Sequence, residues 1–75
     1  METKAAVSQL SALAQEGRLA VFRLLVRAGD DGLPAGEIAA ALGTVQNTLS
    51  AQLTVLAHAG LVHSERRGRS IIYFA

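Results

Sequence analysis

The sequence contains no cysteine and no tryptophan, and aromatic residues make up only 4% of it. Without cysteine there is no disulfide, no thiolate metal site and no thiol nucleophile. With so few aromatic rings, the core has to be built from aliphatic side chains and alanine, and hydrophobic residues supply 51% of the 75 positions. A chain of this length buries only about 60% of its unfolded surface, so a lone core is marginal. A partner subunit is the remaining remedy, and the composition leads us to expect a homodimer. The opening "METKAAVSQ" has no apolar run of the kind a signal peptide needs, so a cytoplasmic protein is expected. Repeats, low-complexity tracts and linkers are also missing, and residues 1–75 are expected to form one domain.

Catalytic constellations are absent too. No glycine-rich phosphate loop is present, and the only paired acids, Asp30 and Asp31, lie in the turn-like "GDDGLP". The serines have no evident base with an orienting acid, so no catalytic residue is expected and the chain is not expected to be an enzyme. His58 and His63 stand five apart with no acidic ligand beside them. A surface or phosphate-facing role suits His58 better than a metal site.

Charge is also missing from one long stretch. "TVQNTLSAQLTVLAHAGLV", from Thr44 to Val62, holds no Asp, Glu, Lys or Arg. The formal net charge is only +1, too small to argue for nucleic acid by itself. Its distribution says more. Up to Gly43, Lys4, Arg18, Arg23 and Arg27 face Glu2, Glu16, Asp30, Asp31 and Glu37; beyond it, Arg66, Arg67 and Arg69 face only Glu65. The excess positive charge is concentrated in "RRGR", just behind the uncharged stretch.

Apolar spacing orders the elements. Val7, Leu10, Leu13 and Ala14 mark a helix from about Thr3 to Ala14, and Gly17 is expected to interrupt it. "RLAVFRLLVRAG" then forms a second helix with a stripe of Leu19, Phe22, Leu25 and Val26 and with Arg23 and Arg27 on a wet face. Pro34 suits the first turn of a short third helix, roughly Ala35 to Leu42, which turns Ile38, Ala39 and Leu42 inward and stops at Gly43. Thr44 is placed to cap the fourth helix. Angles of 100° per residue put Leu49, Leu53, Leu56 and Gly60 on one side, and Asn47, Ala51, Thr54 and His58 on the other, flanked by Thr48. A membrane span would be apolar all round for about 20 residues. A fully buried helix would need partners for Gln46, Asn47 and Gln52, which is costly. An amphipathic helix with a polar, uncharged outer face fits best. After Gly60 the period becomes two, and "LVHSE" and "SIIYF" read as a hairpin with arginines at its tip.

The expected fold is therefore mainly α with a small β-hairpin, in the order α-α-α-α-β-β. A short helix, a glycine turn and a second helix with hydrogen-bonding side chains outside is the helix-turn-helix arrangement, and the basic hairpin behind it makes a wing. Gln, Asn, Ser and Thr read base edges by donor and acceptor pattern, and arginines at a tight turn grip phosphates. Two readings stay open: a DNA-binding domain, or a winged-helix module whose uncharged face docks on another protein.

The segments "GRLAVFRLL", "IAAALG", "TLSAQLTVLAHAGLV" and "RRGRSIIYF" together resemble the ArsR/SmtB family of bacterial winged-helix repressors over nearly the whole chain. The resemblance implies a homodimer that represses transcription at an inverted-repeat operator and releases double-stranded DNA when an inducer binds. It implies DNA-reading side chains at Gln46, Asn47, Thr48, Ser50, Ala51 and Gln52, with Arg66, Arg67 and Arg69 in the wing. Gln52 stands where many members have histidine and Ala51 where arginine or histidine is common, which leaves more of the binding to the wing. The family's cysteine motif at the third helix matches Pro34 and Gly36 here, neither of which can ligate a metal, so no metal site or cofactor is expected in these residues. The sequence ends before the place of the family's last, dimerising helix, which leaves the first helix, through Val7, Leu10 and Ala14, to form the dimer surface; the alternative is that these three cover the monomer's own core. "GLPAGEIA" resembles a subgroup of arsenic-responsive members with vicinal cysteines near the C-terminus, which implies As(III) as inducer if the native chain continues with such cysteines.

Overall fold

A computed structural model describes residues 3–75. Four helices and a small antiparallel sheet follow one another: α1 (Thr3–Leu13), α2 (Glu16–Ala28), β1 (Leu33–Pro34), α3 (Ala35–Leu42), α4 (Gln46–His58), β2 (His63–Arg67) and β3 (Ser70–Phe74). The strand order is β1-β3-β2, so β3 is central. Architecture and order agree with the expectation from sequence, apart from β1. A two-residue strand is too short to show an alternating pattern, yet it pairs Leu33 with Tyr73 and Pro34 with Ile72. Pro34 therefore stands just before α3, as its N-cap residue on an edge strand, and not in its first turn. Gly32, at φ 60°, lets β1 lie this close: a Cβ there would come within 2.6 Å of the Phe74 ring and 2.7 Å of the Tyr73 carbonyl oxygen.

The core lies where α2, α3 and α4 meet. Val21, Leu25, Ile38, Leu49 and Leu56 are fully buried, joined by Ala12, Leu53, Val62 and Phe74. Each fully buried Leu, Ile or Val contributes about 1.5–3 kcal/mol of transfer free energy. The inward row of α4, Leu49, Leu53 and Leu56, is the expected one, whereas Gly60 lies beyond the helix and is exposed. The stripe on α2 is rotated from the expected one: Val21 replaces Leu19, and Leu19 and Val26 face outward. Both α3 and α4 pack on α2, so the buried arc centres between them and leaves one edge of the apolar stripe, Leu19 and Val26, outside.

Gly17 does not interrupt the helices; it lies in the first turn of α2. The break falls at Ala14 and Gln15, where the Gln15 side chain caps α2 by accepting a 2.7 Å bond from the Arg18 amide. Thr44 does not cap α4 through its hydroxyl: the N-cap residue is Val45, and the Thr44 hydroxyl donates to the Leu42 carbonyl at 3.5 Å. The wing is also longer than expected. Arg66 and Arg67 belong to β2, and the tip is only Gly68 and Arg69, with Gly68 at φ 61° in the first loop position, as a type II′ turn requires.

Candidate nucleic-acid interface

Gly43 ends α3 in the left-handed conformation, φ 62° and ψ 32°, and its amide and that of Thr44 both donate to the Ala39 carbonyl. That turn redirects the chain into α4. With its leucines buried, α4 exposes Gln46, Asn47, Thr48, Ser50, Ala51, Thr54 and His58. The Thr54 hydroxyl donates to the Ser50 carbonyl at 2.9 Å, which occupies its proton within the helix. No such bond ties the side chains of Gln46, Asn47, Thr48 or Ser50 among the described residues, and their donors and acceptors face outward.

Gln52 is placed differently from the other expected readers. It sits at the edge of the apolar arc, about 60° from Leu49 around the helix, and is half-buried. Its Nε2 lies where a Cβ on Gly17 would be, and its Oε1 is sealed from solvent without a hydrogen-bond partner. Gln52 also lines a notch between the start of α2 and the flank of α4, together with Gln15, Arg18, Asn47, Thr48 and Ala51. Arg18, which the sequence marked only as a charge, holds the end of α1 there: its Nε donates to the Ala12 carbonyl at 2.8 Å and its Nη2 to the Ser11 carbonyl at 3.3 Å.

The wing arginines are not equivalent. Neighbouring residues of β2 alternate between the faces of the sheet, so Glu65 and Arg67 share a face and Arg66 takes the other. The Arg67 Nη2 bonds Glu65 Oε2 at 3.0 Å, and its guanidinium lies 5.1 Å from the centre of the Phe74 ring. Both partners of the ion pair are about half exposed, so it adds little stability, but it neutralises part of the local charge. Arg66 reaches only the Gly68 carbonyl, at 3.4 Å, and Arg69 occupies the tip itself. His63 stacks on Phe74 with ring centres 5.1 Å apart, on the opposite strand position, while His58 lies exposed at the end of α4. Among the described residues no three His, Asp or Glu side chains converge as metal ligands, and no helix is long and apolar enough to cross a membrane.

A helix-turn-helix with its polar, uncharged face clear of the core, followed by a three-stranded sheet whose hairpin carries basic residues, defines a winged helix-turn-helix domain. A family model described as a helix-turn-helix domain matches residues 13–65. The HTH-type transcriptional regulator NmtR of Mycobacterium tuberculosis is 42% identical over 66 residues, covering 88% of this chain and 52% of that protein. HlyU from Vibrio cholerae superposes with a TM-score of 0.83 at 32% identity, over 96% of this chain and 73% of that one. The homodimeric winged helix-turn-helix DNA-binding domain of Mb0332 from Mycobacterium bovis, a possible ArsR-family transcriptional regulator, superposes with a TM-score of 0.86 at 31% identity, over 95% and 63%. The chain belongs to the ArsR/SmtB family of winged helix-turn-helix transcriptional regulators. It spans about half the length of the curated relative it matches.

Proposed function

We propose that this chain is a sequence-specific DNA-binding repressor that acts in the cytoplasm as a homodimer, on an inverted-repeat operator, and leaves it when an inducer binds. The observation that carries the reading is the face of α4: Gln46, Asn47, Thr48, Ser50 and Ala51 are exposed and uncharged, on a helix held from behind by buried leucines. Such a row offers amides, hydroxyls and one methyl to base edges, which differ in the major groove by donor, acceptor and methyl pattern. Phosphate contacts fall to Arg66 and Arg69, and Arg67, shared with Glu65, adds less. No thiol is present among these residues to bind As(III), so they do not fit it.

Exposure supports the dimer. Val7 and Leu10 are 59% and 69% exposed and Ala14 is exposed as well, so these side chains do not cover the monomer's core; Ala12 does. Apolar side chains left in water on the helix of a small domain favour association with a second copy. Leu10→Glu should convert dimers to monomers in equilibrium sedimentation, and an unchanged mass distribution would remove α1 from the interface.

Selection from a randomised duplex DNA pool tests the function. An inverted repeat with half-sites about one helical turn apart is expected. Asn47→Ala should relax preference at one base of each half-site by about 1–3 kcal/mol while leaving the rest of the selected sequence intact. Failure to enrich any sequence would favour a face that docks on protein.

A further inference from the structure

We propose that Gln52 is a gated reader: in the free protein its carboxamide is stored over Gly17, and it reads a base only after leaving that slot. The inference rests on α4 being the DNA-reading helix and assigns one of its side chains two positions. The stored position is visible in the packing. Only glycine leaves room for it, because a Cβ on Gly17 would collide with Gln52 Nε2 and stand 3.3 Å from its Cδ. Gly17 does not have a positive φ, so the backbone of α2 does not require glycine there.

The stored position is also weakly held. Gln52 Oε1 is buried with no donor, and an unpaired buried acceptor is penalised relative to one in water or against a donor. Reading adenine requires both the oxygen and the nitrogen of a carboxamide. In the slot, the nitrogen faces α2 and the oxygen is sealed. Outside it, both are free, and the notch beside Ala51, whose side chain is a single methyl, has space for an extended glutamine. Base preference at this position is therefore set by a balance that the start of α2 controls, and not by α4 alone.

Gly17→Ala closes the slot with a residue that favours helix. Wild type, Gly17→Ala, Gln52→Ala and the double variant would each be put through selection from a randomised duplex pool, with melting followed by circular dichroism. The Gln52 side-chain amide would be followed by NMR in the free proteins. In wild type its hydrogens should show nuclear Overhauser contacts to the Gly17 α-hydrogens, and in Gly17→Ala those contacts should be lost. Gly17→Ala should select adenine at one further position of each half-site and bind such sites about tenfold more tightly than wild type does. The double variant should select as Gln52→Ala does. The inference fails if Gly17→Ala selects the same sites as wild type, or if its effect survives in the Gln52→Ala background. Should Gly17→Ala melt too low to assay, the contact between the Gln52 amide and Gly17 in free wild type, and its loss on a duplex with adenine at the further position, still decide; a contact kept on that duplex would overturn the gate. Absence of enrichment in every variant, wild type included, would overturn the DNA reading itself, and the gate with it.

Discussion

Leu49→Ala should lower the melting midpoint by at least roughly 8 °C and abolish site-specific DNA retention well below the temperature at which helix content is lost. Leu49 is fully buried, and a Leu→Ala change at such a site costs about 2–5 kcal/mol through lost transfer energy and the cavity left behind. A chain of this size has roughly 4–11 kcal/mol in total, and 1 kcal/mol corresponds to about 4–8 °C for a domain of 60–100 residues. Leu49 also lies on the side of α4 away from Asn47, between the exposed Thr48 and Ser50. The cavity would loosen the helix that, in the proposed function, presents its side chains to bases in register. Differential scanning calorimetry and DNA retention at a series of temperatures check both parts. A melting point within 3 °C of wild type would show that the core closes around the gap, and the packing described above would need revision.

The second large effect is electrostatic. Arg66→Ala with Arg69→Ala should weaken binding to every DNA sequence alike, by roughly two orders of magnitude, taking about 1.5 kcal/mol for each charge-assisted hydrogen bond. The slope of log affinity against log salt should flatten by about 1.8, since each phosphate contact contributes about 0.9. Arg67→Ala should flatten it much less, because the Arg67 guanidinium already bonds Glu65 and lies over Phe74. Equal slopes for the single variants of all three arginines would show that the Glu65 pair opens on DNA and that the distinction drawn within the wing is wrong.

Much of this arrangement was legible in the sequence. The bounds of α3, the three inward leucines of α4 and the hairpin follow from apolar period and from glycine positions. The exposure of Asn47, Thr48, Ala51, Thr54 and His58 follows from the same angles. What was not legible depends on contacts between distant segments. Arg67 could be told from Arg66 and Arg69 only once the strand register put it on the same face as Glu65. Leu19 and Val26 look as apolar as Val21, and only the seat of α2 between α3 and α4 decides which of them is covered. Gln52 stands at the border of the apolar arc, where helical angle alone leaves its direction open. A glycine 35 positions earlier in the chain, which seemed to be a helix breaker, settles it.

The strand Leu33–Pro34 has a kinetic consequence. By pairing with Tyr73 and Ile72 it joins residues about 40 positions apart, and the whole of α3, α4 and β2 lies inside the loop so closed. Closing such a loop costs chain entropy before the contacts repay it, and contacts of that separation slow folding. The helix-turn-helix segment is thus completed only once β3 has been made. During synthesis it should stay open to proteases until β3 has emerged, and then become protected together with the wing.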